Sequence, residues 1–128
     1  MKIAEVSERY AISSDTLRYY ERIGLIPQVN RNGSGIRDYN ENDIRRVEFI
    51  KCMRRAGLPI ETLIEYIALV QQGDQTIEAR KEILIEQRAL LAARMQEMQV
   101  TLDLLDYKIS VYENAIVKKE KDITQIAE

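Results

Sequence analysis

Two short helices open the hydrophobic pattern of this chain. Apolar residues three or four positions apart predict a first helix over residues 2–10, with one buried face. The hydroxyl of Ser13 or Ser14 can accept the hydrogen bond that starts a second helix, which runs to about Ile23 and stops at Gly24. The pattern therefore predicts two helices joined by a tight turn.

A hairpin pattern and two further helices follow. Residues 28–39 place two short runs of strand-forming residues around a glycine-rich turn at 32–35, and so predict a small β-hairpin, here called the wing. A third helix is expected up to Gly57, and a fourth begins at Pro59 with apolar residues at helical spacing. Residues 1–75 are therefore predicted to form a winged helix-turn-helix head.

A seven-residue repeat begins after the head. From residue 76 to about 117, apolar residues recur every seven positions and again four positions on, which is the pattern of a coiled-coil seam. A lone helix would expose this stripe to water, so a partner helix is required, and the simplest partner is a second copy. Residues 118–128 are mostly charged and are expected to fray. The residues predicted to form the dimer interface are Leu84, Leu91, Met95, Met98, Leu102, Leu105, Ile109 and Tyr112.

Composition excludes several classes of function. The chain has no histidine and one cysteine, so it cannot form a zinc finger, a Cys/His nucleophilic pair or an internal disulfide. No nucleotide-binding glycine motif or paired-carboxylate pocket is recognisable, and we expect no enzyme activity, no metal and no cofactor. No apolar run approaches the roughly 20 residues that span a bilayer, so we expect a cytoplasmic protein with no membrane partner.

The candidate chemistry lies in the second helix and the wing. Residues 16–21 read Thr-Leu-Arg-Tyr-Tyr-Glu, which places Arg18 beside two phenols. A guanidinium presents a planar fork of donors to phosphate or guanine, and tyrosines can pack along a sugar-phosphate backbone. The net charge is −2, but basic side chains are in excess over the first 57 residues and acidic ones over the rest. The sequence therefore predicts a nucleic-acid-binding head.

The order of these features resembles the MerR family of bacterial transcription regulators. The resemblance is carried by the Arg-Tyr-Tyr-Glu helix, by the wing with Arg37 and Tyr39, and by the two further helices and one long helix. One departure is Ala11, because the family usually has glycine in this turn. A positive φ would cost an alanine about 1 kcal/mol, which the fold can absorb.

The resemblance implies a mostly α-helical homodimer joined by an antiparallel coiled coil, with two recognition helices in successive major grooves of promoter DNA. Family members bind promoters whose spacer between the elements contacted by RNA polymerase is too long, and they bend and undertwist it until those elements realign. Smooth elastic estimates put such bending at about 1–6 kcal/mol. The residues that the resemblance places against DNA are Ser14, Thr16, Arg18, Tyr19, Tyr20, Arg37 and Tyr39.

Some of these assignments have a structural alternative. Tyr20 either contacts a phosphate or packs beside Leu17. The alternative for Tyr39 is that its ring anchors the wing in the core and only its hydroxyl reaches a phosphate. For the arginines of the third helix we favour a solvated face over backbone contact: Arg45, Arg46 and Arg54.

The signal is predicted to act at Cys52. Residues 48–57 resemble the aldehyde-responsive, AdhR-like subgroup of the family, in which a single cysteine at this place senses aldehydes or related electrophiles. Lys51 and Arg55 would favour the reactive thiolate, whereas Glu48 would oppose it. The alternatives are that Cys52 is a small buried apolar residue and that the signal is a non-thiol small molecule. Metal-sensing relatives place cysteines near the end of the long helix, and this chain has none there.

An alternative function is that of a coiled-coil adaptor whose head binds another protein and not DNA. An arginine between phenols, with a second arginine in the wing, suits phosphates better than a protein groove. Salt dependence discriminates the two, because DNA binding weakens steeply as salt rises.

Overall fold

A computed structural model describes residues 1–116 in full and, from 117 to 127, the backbone of the last helix. The helices are α1 (Ile3–Tyr10), α2 (Ser14–Arg22), α3 (Glu41–Arg55), α4 (Ile60–Gln72) and α5 (Ile77–Ala127), with a 3-10 turn at Asp74–Thr76. This order confirms the mostly α-helical class. The fraying expected at 118–128 concerns residues outside the fully described part of the chain.

Local capping explains where the helices of the head begin. The Ser13 Oγ accepts a hydrogen bond from the Thr16 N–H at 3.1 Å, which decides between the two candidate serines. At α3 the cap is reciprocal, because the Asn40 side chain accepts from the Asp43 N–H and the Asp43 carboxylate accepts from the Asn40 N–H, both at 2.9 Å. Ala11 ends α1 with φ 54°, in the left-handed region expected for that turn.

The wing contains less strand structure than predicted. Among the described residues its ladder is a single antiparallel bridge between Arg31 and Arg37, in place of two short strands. The Asn32 Oδ1 accepts hydrogen bonds from the N–H groups of Ser34 and Ile36, at 2.9 and 3.1 Å. This side chain satisfies backbone donors within the turn. The turn of the wing is therefore stabilised by local hydrogen bonds, without a longer ladder between two strands.

Two hydrophobic clusters form the core of the head. The first joins α1, α2, the wing and α3, and the second joins the end of α2 to α3 and α4. Tyr20 packs against both. The fully buried or nearly buried members of the first are Val6, Leu17, Ile26, Val29, Tyr39 and Val47. Those of the second are Leu25, Ile50, Leu58, Leu63 and Ile67.

The start of α5 is tied to the end of α4. Thr76 is buried, and its hydroxyl lies 2.6 Å from the Leu69 carbonyl and 2.7 Å from the Gly73 carbonyl. Arg80 donates to the Thr76 Oγ1 at 3.0 Å and to the Gly73 carbonyl at 3.1 Å. The chain divides into two compact units, Met1–Arg88 and the part of α5 from Ala89 onward.

Within the described residues, no helix is both long and apolar enough to cross a membrane.

Candidate nucleic-acid interface

Helix α2 presents a basic, aromatic face to solvent while its opposite face enters the core. Leu17 is completely buried, whereas the side chains of Arg18 and Tyr19 are 48% and 40% exposed. The Arg18 Nη1 donates to the Asp15 Oδ1 at 3.0 Å, and the Arg22 guanidinium lies 5.3 Å from the centre of the Tyr19 ring. Exposed ion pairs and exposed cation–π contacts are both weak, so each of these two arginines can exchange its side-chain partner for phosphate.

The remaining predicted residues of α2 are half-buried. Ser14 and Thr16 lie in its first turn, where the helix dipole favours an anion. The Thr16 Oγ1 accepts from the Ser13 hydroxyl at 2.8 Å, so the Thr16 hydroxyl keeps its own proton for another acceptor. Tyr20 packs on both core clusters, which supports the packing alternative for its ring.

Glu21 connects α2 to the wing. Its Oε1 accepts from the Val29 N–H at 2.8 Å, and its Oε2 accepts from the Nε and Nη2 of Arg37 at 3.2 and 3.1 Å. The side chains of Arg37 and Glu21 are only 20% and 14% exposed. The Nε–H and one N–H of Nη2 of Arg37 are therefore committed to this pair, and its predicted contact with DNA would use the remaining N–H groups of Nη1 and Nη2.

Sequence reasoning named Arg37 but missed Glu21. The spacing of the sequence could have identified Glu21. It follows the buried Leu17 by one helical turn and therefore lies toward the core side of α2. A carboxylate there requires donors, and the wing supplies them.

Tyr39 is the position at which the structure disagrees with the expected contact. The residue is 3% exposed, and its hydroxyl is buried with no hydrogen-bond partner among the described residues. Burial raises the pKa of this phenol above its ordinary value. The ring therefore anchors the wing in the core, as the alternative expected, whereas the hydroxyl that was expected to reach a phosphate is covered in this conformation.

Cys52 is exposed on α3, which disagrees with the alternative of a buried apolar residue. Glu48, one turn earlier, is directed to α1, where its Oε1 accepts from the Tyr10 hydroxyl at 2.8 Å. That hydrogen bond raises the pKa of Tyr10. Across the described residues, no three His, Cys, Asp or Glu side chains are grouped to hold a metal ion.

The arginines of α3 differ from one another in the structure. Arg45 is exposed and lies 3.9 Å from Glu41, whereas the Arg54 Nη1 donates to the Leu58 carbonyl at 2.8 Å. Arg46 is half-buried, so it does not belong to the solvated face expected for all three.

Helix α5 exposes apolar side chains along two faces. The seam residues are exposed by 41% at Leu84 to 70% at Met98, except that Leu91 is half-buried. A second row is offset by about half a turn, since an α-helix has 3.6 residues per turn. Its members, which the heptad pattern missed, are Leu90, Val100, Leu104, Tyr107 and Val111.

Comparisons with known proteins agree with this geometry. Residues 1–70 match the family model described as MerR HTH family regulatory protein, and residues 44–107 match the one described as MerR, DNA binding. The HTH-type transcriptional regulator AdhR of Bacillus subtilis is 59% identical over 91 residues, which are 71% of this chain and 65% of AdhR, just under two thirds of its length.

Solved structures agree over more of the chain. A crystal structure described as a MerR family transcriptional regulator from Listeria monocytogenes is 46% identical with a TM-score of 0.91, covering 98% of this chain and 96% of that one. HiNmlR, a MerR family regulator lacking the sensor domain and bound to promoter DNA, is 30% identical with a TM-score of 0.80, covering 89% and 90%.

Proposed function

This chain belongs to the MerR family of transcriptional regulators, and on that premise we propose that it binds promoter DNA as a homodimer and activates transcription by deforming the DNA. The family consists of DNA-binding regulators and not of enzymes. The observation that carries the proposal is the exposed pair Arg18 and Tyr19 on a helix that Glu21 joins to the wing. The likeness to HiNmlR, whose structure contains promoter DNA, supports binding of promoter DNA by this chain.

The homodimer rests on the seam of α5. Apolar side chains exposed by half or more over several turns are unfavourable in water, and a second α5 would cover them. The family resemblance makes this coiled coil antiparallel. Two heads related by a twofold axis then meet two half-sites of a pseudo-palindromic promoter.

Activation follows from deformation of the DNA. Each head contacts the duplex at two places, with α2 in the major groove and the wing against the adjacent sugar-phosphate backbone of the DNA. Bending costs about 1–6 kcal/mol by smooth elastic estimates, and phosphate contacts from both heads offset it. The deformed spacer brings the two elements that RNA polymerase contacts into register.

The signal is an aldehyde or a related electrophile at Cys52. The thiolate sulfur adds to the carbonyl carbon, a C–S bond forms as the π bond of the carbonyl breaks, and the resulting alkoxide oxygen takes a proton from water to give a hemithioacetal. The thiol is exposed, and Lys51 and Arg55 are its cationic neighbours in the sequence. The modified dimer is shifted toward the conformation that deforms the promoter. The likeness to AdhR supports this subgroup.

In-vitro transcription tests the proposal. Wild type and Cys52→Ser are compared on the promoter next to the gene, each with and without methylglyoxal. We expect the aldehyde to increase transcript only with wild type, while both proteins bind the operator equally. An equal response in Cys52→Ser would move the signal away from the thiol. Operator binding that is insensitive to salt would instead favour the protein-binding adaptor.

A further inference from the structure

Two cations interrupt the apolar seam of α5. The seam runs from Ile77 to Ile116 through alternating spacings of four and three residues, which are the d and a positions of a heptad repeat. Lys81 and Arg88 occupy a positions, where both are exposed, and neither forms an ion pair among the described residues. A helix that covers the seam buries these cations in part, so it must bring acidic side chains to them.

The acidic side chains of α5 are concentrated farther along the helix. Residues 77–96 carry four basic and three acidic side chains, whereas residues 97–116 carry one basic and four acidic ones. Two of these acids, Asp106 and Glu113, are exposed at e positions, which lie about 40° around the helix from the a positions and hence beside the seam. This distribution favours a second copy of α5 that runs in the opposite direction, because its acidic part then lies beside the basic part of the first.

One antiparallel register covers the whole of this seam. If Ile77 faces the partner's Ile116, every seam residue between them faces a seam residue of the second copy. Met95 then faces the partner's Met98 next to the twofold axis.

The same register brings both cations to acids of the partner. Arg88 is one residue, or about 1.5 Å along the axis, from the level of the partner's Asp106, and Lys81 has the same offset from the partner's Glu113. Lysine and arginine side chains are long enough to leave the apolar layer and to reach an e position with their charged ends.

Other arrangements of the two helices lack this match. A shift of one heptad places Arg88 beside the partner's Gln99 in one direction, and in the other direction it places Lys81 opposite the partner's Lys119. In a parallel dimer each of the two cations faces its own copy across the seam, where like charges repel.

We propose that Lys81 and Arg88 fix the orientation and the register of the dimer by pairing with Glu113 and Asp106 of the partner subunit. This pairing requires the homodimer of the proposed function, whose antiparallel direction came from the family resemblance alone. Because the dimer is twofold symmetric, each pair occurs twice. The apolar seam supplies the burial, and the ion pairs select one arrangement of it.

Cysteine cross-linking in the full chain tests direction and register. The background is Cys52→Ser, which removes the exposed native thiol. Leu84 faces the partner's Ile109, so Leu84→Cys/Ile109→Cys should form a covalent dimer under mild oxidation, seen on a non-reducing gel. Leu84→Cys alone should not, because its two copies are about 37 Å apart along the axis. The matched control Leu84→Cys/Leu102→Cys is offset by one heptad and should also give no covalent dimer.

Charge exchange tests the ion pairs themselves. Arg88→Glu should raise the dissociation constant of the dimer at least about tenfold in sedimentation equilibrium, because it places like charges together at two sites of the dimer. Adding Asp106→Arg should restore the constant to within about threefold of wild type. The matched control Arg45→Glu makes the same charge change at an exposed arginine of α3 and should leave dimerisation unchanged.

The possible failures have different meanings. Cross-linking of Leu84→Cys alone shows a parallel dimer, and cross-linking of Leu84→Cys/Leu102→Cys in place of Leu84→Cys/Ile109→Cys shows a shifted register. Either result overturns the pairing and leaves the homodimer intact. Failure of Asp106→Arg to rescue Arg88→Glu also overturns the pairing. A wild type that sediments as a monomer refutes both the pairing and the homodimer of the proposed function.

Discussion

Glu21→Gln tests whether the link between α2 and the wing is needed for DNA binding. The amide keeps an oxygen for the Val29 N–H but turns an NH₂ group toward the Nε and Nη2 of Arg37, so two charge-assisted hydrogen bonds are lost. Hydrogen bonds to charged groups contribute about 1.5–3 kcal/mol. Since the pair is one-fifth exposed or less, we expect a loss of about 2 kcal/mol in the free energy of unfolding.

Urea denaturation followed by circular dichroism measures this loss, at one protein concentration because a dimer is expected. The matched control is Asp15→Asn, which removes an acid of the same helix whose side chain is 96% exposed in its pair with Arg18. Such exposed pairs contribute less than about 1 kcal/mol. The reasoning is refuted if Glu21→Gln and Asp15→Asn unfold at the same urea concentration.

The direction of the change in DNA affinity distinguishes loss of charge from loss of the link between α2 and the wing. Removing a carboxylate near DNA should by itself strengthen binding to a polyanion, and Asp15→Asn is expected to do so because it frees Arg18. Glu21→Gln should weaken operator binding about tenfold, because the wing is no longer held against α2. Fluorescence anisotropy with a labelled operator measures both. Tighter binding by Glu21→Gln would show that the wing is positioned without this link.

Three further substitutions give separate outcomes. Arg18→Ala should weaken operator binding by about 1–3 kcal/mol with the dimer unchanged in sedimentation, and wild-type affinity would refute the placement of α2. Tyr39→Phe removes an unpartnered hydroxyl, so stability near pH 7 should stay equal or rise by up to about 1 kcal/mol. Because burial raises the pKa of Tyr39 above its ordinary value of 10.0, only the wild type should lose stability from this residue as the pH rises from about 10.0 through the raised pKa, where the unfolded chain ionises this phenol and the folded chain does not; identical base-unfolding curves would contradict this. Leu102→Glu should halve the mass seen by light scattering, since it places a charge in the seam, and an intact dimer would exclude that stripe as the interface.

The elements of the head were predictable because their signals are local. A serine cap, a reciprocal Asn40–Asp43 cap and glycines at helix ends act over three or four residues, so the sequence alone placed helix boundaries within about two residues. The wing was the exception. The wing has one bridge in place of two strands, and the Asn32 side chain accepts hydrogen bonds from backbone N–H groups of the turn. Whether a side chain or the backbone accepts those hydrogen bonds depends on the conformation of the turn.

The sequence indicated which residues are candidates for DNA binding, but it did not indicate which other side chains they contact. Arg18 and Tyr19 lie on the exposed face as the helical period indicates. The pattern did not show that Arg37 is paired with Glu21, or that the Tyr39 hydroxyl is covered, because residues 16 or more positions apart meet only when the chain has folded.

The order of helices, the family and the apolar seam of α5 can be recognised from the amino-acid sequence, since each depends on residue type at short, regular spacing. Tertiary structure alone decided which charged groups meet. It joined Glu21 to the wing, covered the Tyr39 hydroxyl and left Cys52 exposed. The physical reason is that burial and pairing depend on packing between distant segments, and the free energy of a charged side chain changes most with those two conditions.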